Sequence, residues 1–538
     1  MLGNASVKPS LSWLSWFYRG VVIIGLLILI GRLIELQVIK GAYYRGLADG
    51  NRARTITIQA PRGKILTQDG HEIVTSERVA KTVEFSPIEG YKKIDATEDT
   101  PANEVIYDYK RLYPFGHEFA YITGYIAEIN KEELGKVDQD CREKGVKTLG
   151  SYIGRSGLES TYDCELRGVV GEEIVEVDTR GNRIRTLGRR NPIPGHDITT
   201  TIDFGLQKKV AEIMNDQLAA VIVSNTEGKV LALHSSPSFD PNLFIDSTGR
   251  SEDLSSLFTD ERLPLFNRVL AGTYHPGSLF KIVTSIAGFE AGAIDTDFEY
   301  VDTGSITVDD YNYTNWYFTQ YGGTEGEVDT IRALARSTDT FYYKIGELMG
   351  AQTITDWARK FKLDKKTNID LPGEVLGLVP SPEWKKAVKG ERWYLGNTYH
   401  FSIGQGDLAI TPAAIHRVFM AMANDGVICD LSLIDDSNNC EDLGIKKEYM
   451  AIVEEGLKQA CNPGGTATPF FDLAEPDIAC KTGTAETLEE DVTHAWFSMY
   501  TPVDDPKYVI TVLVEKGGGG SDVAAPIARE IVDYLYNP

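Results

Sequence analysis

The segment His275-Pro276-Gly277-Ser278-Leu279-Phe280-Lys281 sets a serine three residues before a lysine, directly after a Pro-Gly break. Apolar residues then recur at helical spacing, at Phe280, Ile282, Val283, Ile286 and Phe289, and Gly292 can end the helix. Ser278 is therefore expected at a helix N-terminus, with Lys281 on the same face. A serine hydroxyl is a poor nucleophile until a base takes its proton. A lysine kept neutral by burial or by a second cation can be that base. The helix N-terminus aims N–H groups and a positive dipole at developing negative charge. A lone S-x-x-K more often means a capping serine beside a solvated lysine. Here it is the only such pair in the chain.

Lys481-Thr482-Gly483-Thr484 ends the strand-like run Ile478-Ala479-Cys480. Its hydroxyls and lysine can bind a substrate carboxylate, and Gly483 can let a substrate backbone come close. Two further strand-like runs follow, 495–502 and 508–516. Between the two lysine motifs lies Ser337-Thr338-Asp339. Taken alone it carries almost nothing, because Ser238-Phe239-Asp240 has the same pattern.

The elements that must position these groups are legible in outline. Residues 219–236 read as a hairpin, two apolar runs around Asn225-Thr226-Glu227-Gly228. From about residue 205 the pattern is one of longer helices and strands, as in an α/β or α+β domain. Residues 41–204 read as a separate β-rich region of short strands and turns, with no catalytic constellation. The glycine run 517–520 reads as a mobile loop between a strand and a final helix. Residues 11–31 become long enough to span a bilayer once Leu11–Tyr18 is joined to the apolar run Gly20–Gly31. Arg19 can snorkel to the interface, where Trp13, Trp16 and Tyr18 form an aromatic belt. No small-x-small cleavage site follows, so an uncleaved anchor is expected rather than a signal peptide. Lys8 and Arg19 before the core face Arg32, Lys40, Arg45 and Arg52 after it, so positive charge alone does not orient the anchor.

The chain of 538 residues is long enough for two or three domains. Its net charge of −24, without a basic run, argues against a nucleic-acid partner. None of the six cysteines forms a C-x-x-C pair, so zinc-ligand spacing is absent and no metal site is expected. Local disulfides, Cys429 with Cys440 or Cys461 with Cys480, stand beside the alternative of free thiols.

The order S-x-x-K, S-x-[ND], K-T-G is the serine signature of penicillin-binding proteins and class A β-lactamases. With the anchor come LQVIKGAYY (36–44), APRGKIL (60–66), RLYPFG (111–116), GRSGLESTYDCELRG (154–168) and LHSSPSFDPN (233–242). IDLPGEVLGLVPSPEWK (369–385) and WYLGNTYHFSIGQGDLAITP (393–412) follow. On these blocks the chain resembles class B penicillin-binding proteins over nearly its whole length, in the elongation-type, penicillin-binding protein 2 branch. The resemblance implies a cytoplasmic tail and single anchor in 1–40. It implies a non-catalytic pedestal in 41–204, and in 205–538 a transpeptidase domain with an antiparallel sheet flanked by helices.

It further implies a peptidoglycan D,D-transpeptidase of cell-wall synthesis and cell-shape maintenance. Such an enzyme is held in the inner cell membrane with its catalytic domain outside the cytoplasm. Its partners would be donor and acceptor stem peptides, β-lactam antibiotics and a SEDS-family glycosyltransferase, and it needs no cofactor. Ser278 would attack the penultimate D-Ala carbonyl of a D-Ala-D-Ala donor, with Lys281 as base. Ser337 and Lys481 would relay a proton to the leaving D-Ala. The backbone N–H groups of Ser278 and Thr484 would form the oxyanion hole. Asp339, Thr482, Gly483 and Thr484 would bind substrate. Asp339 stands where the family usually has Asn. An ionised carboxylate offers acceptors only and favours a charged lysine, so Asp339 should not be the sole close partner of Lys281. A β-lactamase would want a deacylating glutamate in E-x-x-L-N after the middle motif, and none occurs between Ser337 and Lys481. A non-catalytic scaffold that activates a glycan polymerase is the other alternative.

Overall fold

The computed structural model describes residues 13–86, 90–101, 104–136, 141–147, 150–178, 183–214, 217–245, 250–434, 439–487 and 489–537. The expected cytoplasmic tail, 1–12, lies outside the described residues. Helix α1, Trp13–Ile34, carries apolar side chains all round and buries none of them. With its continuation to Ile39 it is long and apolar enough to cross a membrane. Such a helix fits a single-pass anchor.

The chain forms two compact units. The first draws on segments before residue 61, from 78 to 109 and from 169 to 193. Its three-stranded sheet has the order β1 (Ala53–Ile58), β2 (Gly171–Val177), β3 (Arg183–Arg190). Strand β2 alternates buried and exposed residues along its length. Val175 and Val177 pack with Ile56 and Ile106 into a small core of their own.

The second unit holds residues 62–77, 110–168 and 194–538. At its centre is an antiparallel sheet of five strands: β4 (Ala219–Ser224), β5 (Val230–Ser236), β6 (Ala479–Glu486), β7 (Thr493–Thr501) and β8 (Tyr508–Val514). Their spatial order is β5-β4-β8-β7-β6. The expected hairpin is β4–β5, closed by Asn225 N–H donating to Lys229 O at 3.0 Å. Every residue of β4 is buried. Ala219, Val221 and Val223 join one core with helices α2 (Phe204–Met214) and α8 (Ala525–Tyr536). Ala220 and Ile222 join the other, with α3 (Lys281–Glu290) and α6 (Pro412–Ala423). The period of two along a strand thus places helices on both faces of the sheet.

Strand β6 runs on through Lys481-Thr482-Gly483-Thr484 to Glu486, where the sequence suggested a strand end. Tertiary pairing decides this: each residue from Ala479 to Glu486 faces a partner in β7. The glycine run 517–520 is packed rather than free-standing, since a Cβ on Gly520 would come within 2.4 Å of Gly483 O. All six cysteines are paired, as Cys141–Cys164, Cys429–Cys440 and Cys461–Cys480. Both local pairings expected from sequence are present. The last ties α7 (Lys447–Cys461) to the residue before Lys481.

Far along the chain from the sheet, a buried charge cluster ties the first two segments of this unit together. Glu159, wholly buried, accepts from Arg111 Nε at 2.6 Å and from Arg62 Nη2 at 2.7 Å. Arg62 also reaches Asp163 at 2.9 Å, and Arg111 donates to Gly63 O at 2.7 Å. Burial pushes the Glu159 carboxyl up, but Arg111 and Arg62 outweigh it and hold it below the ordinary carboxylate range. Its contribution to stability is therefore present at neutral pH and lost as pH falls through that lowered value. Glu159→Gln leaves two guanidiniums buried without their carboxylate. It should cost about 3–5 kcal/mol at pH 7, and the deficit should shrink on acidification. Thermal unfolding of both proteins from pH 7 to pH 3 checks this; an equal deficit at every pH would contradict it.

Candidate active site

Pro276 and Gly277 turn the chain into a short 3₁₀ segment, Gly277–Phe280, which runs directly into α3. This places Ser278 at the N-terminal end of a continuous helical stretch and Lys281 one turn further on. The turn needs two glycines. Gly277 has φ 54° and Gly404 has φ 78°, both in the left-handed region. A Cβ on Gly404 would lie 2.2 Å from Gly277 O, and Gly277 N–H donates to Gly404 O at 3.0 Å.

Ser337 joins helices α4 (Thr330–Arg336) and α5 (Asp339–Lys360) in a left-handed conformation, φ 57°. A strained serine between two helices is a fixed one. Its hydroxyl donates to Ser278 Oγ at 2.8 Å. Lys281 Nζ donates to Ser337 Oγ at 3.1 Å, to Ser337 O at 2.8 Å and to Asp339 Oδ1 at 2.7 Å. Asp339 is thus one of three oxygen partners. Its other oxygen accepts from Trp316 N–H at 3.0 Å. Lys281 therefore connects to Ser278 through the Ser337 hydroxyl.

Lys281 and Lys481 are fully buried. Burial lowers the pKa of Lys281, and the Asp339 carboxylate opposes that. Burial drives Lys481 far down, the nearby Lys281 charge adds to it, and Asp339 works against it. Lys481 Nζ donates to Thr482 O at 3.0 Å.

A cleft of about 1210 Å³ opens over these residues. Ser278, Ser337, Asp339, Thr482 and Thr484 line it; Lys281 and Lys481 stand behind its wall. Gly483 does not line it. The space a Cβ would take there is occupied by Trp496 Cβ at 3.0 Å and Pro276 O at 3.2 Å. The glycine thus makes room for the serine-bearing segment, rather than for the substrate backbone expected from sequence. Strand β6 is the edge of the sheet, and an edge strand can take an extended peptide beside it. His275, which stood out beside the serine motif, bonds through Nδ1 to Leu408 O, and its own carbonyl accepts from Trp496 Nε1 at 3.0 Å.

Sequence reading missed several residues of the cleft. Trp316 holds Asp339, Thr466 meets Thr482, and Tyr313, Tyr343 and His400 form an aromatic wall. None sits in the three serine–lysine motifs, although His400 falls within the block 393–412. Only the turn Asn462-Pro463-Gly464-Gly465 before Thr466 gave a local signal.

The sheet with helices on both faces and the serine–lysine cleft at its edge define the class of penicillin-interacting serine acyltransferases. Residues 218–533 match the penicillin binding protein transpeptidase domain, and residues 84–200 match the penicillin-binding protein dimerisation domain. The chain belongs to the penicillin-binding protein family, in the penicillin-binding protein 2 branch. It is 32% identical over 459 residues to the peptidoglycan D,D-transpeptidase MrdA of Salmonella typhimurium, covering 80% of this chain and 73% of that one. Against MrdA of Escherichia coli K12 it is 28% identical, covering 96% and 93%. Pseudomonas aeruginosa PBP2, solved with WCK 5153, superposes at TM-score 0.74 with 28% identity over 90% of this chain and 97% of that one. Helicobacter pylori PBP2, solved with MreC, superposes at 0.77 with 23% identity over 90% and 98%, a likeness of fold.

Asp339→Asn removes the carboxylate that raises the Lys281 pKa. The acidic limb, where the rate of acylation by penicillin rises with pH as Lys281 loses its proton, should therefore move to lower pH. The second-order rate at neutral pH should stay within about tenfold of wild type, roughly 1.4 kcal/mol in barrier. Asp339→Ala should cost more, since it leaves the Trp316 N–H without its acceptor and the buried lysine without its counter-charge. Stopped-time acylation across pH decides it, and a limb that moved upward in the Asn variant would refute this account.

Proposed function

We propose that this protein is a peptidoglycan D,D-transpeptidase that cross-links stem peptides through an acyl-enzyme on Ser278. The observation that carries the reading is the hydroxyl contact chain Ser278–Ser337–Lys281, set beside the lysine-bearing edge strand β6. The names of the MrdA relatives support it.

In this reading Ser278 Oγ attacks the penultimate D-Ala carbonyl of the donor. Its proton passes by way of Ser337 to a neutral Lys281. The backbone N–H groups of Ser278 and Thr484 stabilise the oxyanion. The C–N bond then breaks, and the terminal D-Ala leaves with a proton delivered from the Ser337–Lys481 side. An amine of a second stem attacks the ester, forms the new amide and frees Ser278. Thr482 and Thr484 take the donor carboxylate. Asp339 serves chiefly by holding Lys281 and Trp316.

The division of labour follows: an anchor in 1–40, a pedestal in 41–204, and the chemistry in 205–538. The three disulfides support an oxidising location, so the catalytic part lies outside the cytoplasm and the anchor crosses the inner membrane once. One structural neighbour, 28% identical at TM-score 0.75, is described as a peptidoglycan synthase complex that coordinates polymerization and crosslinking. By that analogy the partner here is a glycan polymerase; the family resemblance, not that structure, points to one of the SEDS family. β-Lactams acylate the same serine. A scaffold with a dispensable serine is the second reading, favoured only if the site fails to acylate.

Fluorescent penicillin should label the wild-type protein once. Intact-protein mass spectrometry should place a single adduct, absent in Ser278→Ala. An adduct that survives this substitution would falsify the assignment.

A further inference from the structure

Each threonine hydroxyl carries one proton, so it can donate only once. Thr482 Oγ1 lies 2.8 Å from Thr466 Oγ1, and Thr484 Oγ1 lies 3.4 Å from Gly520 N. The Gly520 N–H can only donate, so the Thr484 proton stays available for a ligand. For Thr482 the outcome depends on Thr466. If Thr466 donates to Thr482, the Thr482 proton is likewise turned to the cleft. A carboxylate in the cleft selects that arrangement, because it offers acceptors only.

No lysine or arginine is among the described residues that line the cleft. A bound carboxylate there must take its hydrogen bonds from neutral donors, with the buried lysines acting from behind the wall. Hydroxyl orientation therefore matters more than it would beside an exposed guanidinium.

Thr466 sits on the loop that follows α7, and two arginines of α4 hold that loop: Arg332 Nη1 donates to Gly464 O at 3.3 Å. Arg336 Nη1 donates to the carbonyls of Gly464 and Gly465, both at 3.4 Å. Its Nε is fixed by Glu325 at 2.8 Å. Its guanidinium also lies over the rings of Trp316 and Tyr317, 5.5 and 5.3 Å from their centroids. Trp316 Nε1 in turn donates to Arg336 O at 2.9 Å. Arg336, together with Arg332, thus braces the Thr466 loop, and Arg336 alone links it to the tryptophan whose backbone holds Asp339.

We propose that Thr466 is a positioning residue of the carboxylate subsite, turning the Thr482 hydroxyl proton toward the ligand beside that of Thr484, and that Arg336 holds Thr466 in place. This rests on the reading of Ser278 as the acylated serine. The subsite selects ligands whose acyl group is followed by a free carboxylate.

The test compares two probes on the full-length protein: benzylpenicillin and the same molecule with its carboxylate converted to a primary amide. Second-order acylation rates are read by mass spectrometry. Thr466→Val keeps the shape and removes the hydroxyl. It should slow the carboxylate probe about tenfold and leave the amide probe within about twofold, the size expected for one charge-assisted hydrogen bond. Thr466→Ser should restore the wild-type ratio. Arg336→Met should show the same selective loss, and Arg336→Lys a smaller one. Equal losses for both probes, or no loss in Thr466→Val, would overturn the proposal. Failure of wild type to acylate at all would instead overturn the reading of Ser278, so the two failures are distinguishable.

Discussion

The rest of the site depends on a lysine ammonium held away from water. Lys281 is wholly buried, and an unpaired cation there would be costly by several kcal/mol. It is tolerated because three oxygens face it, two of them from Ser337. That requirement sets the backbone around it. Ser337 must present both its carbonyl and its hydroxyl to one nitrogen, which fits its left-handed conformation at the junction of two helices. The same hydroxyl then has its proton left for Ser278. Solvation of the lysine and contact with the nucleophile are thus one arrangement.

A second consequence follows from the second buried lysine. Two ammonium groups close together in a low-dielectric wall cannot both stay charged without cost. Asp339 compensates the first, and Lys481 donates to the carbonyl of Thr482. Burial lowers the pKa of both lysines, that of Lys481 further because the Lys281 charge adds to it, while Asp339 opposes the shift at both. An anionic ligand near either lysine would oppose the shift there.

Much of this was legible in sequence, for reasons of range. The helix after Ser278, the β4–β5 hairpin and the anchor are set by local periodicity and turn residues. The order of the three motifs carried the chemistry. What was not legible is what distant segments do to one another. Strand β6 continues past its glycine because β7 pairs with it, not because of its own residues. Glu159 meets Arg62 from 97 positions away and Arg111 from 48. Trp316, Arg336 and Thr466 have ordinary neighbours in sequence and acquire roles only by juxtaposition. Gly483 was read as space for a ligand, whereas its own chain fills that space.

The substitution of Asp for Asn at 339 shows how such juxtaposition sets the chemistry. An amide there could donate as well as accept; the carboxylate accepts at both oxygens. The surrounding groups match this, since one oxygen meets a lysine and the other a backbone N–H. The N–H belongs to Trp316, which is itself clamped by Arg336. The carboxylate is therefore not free to swing into the cleft and repel an anionic donor. An acidic residue beside a carboxylate-binding site is tolerable only when it is tied down in this way. The tie runs through the same arginine that bonds the Thr466 loop. A shift in Arg336 would therefore disturb both the charge balance at Lys281 and the hydroxyls that meet the ligand.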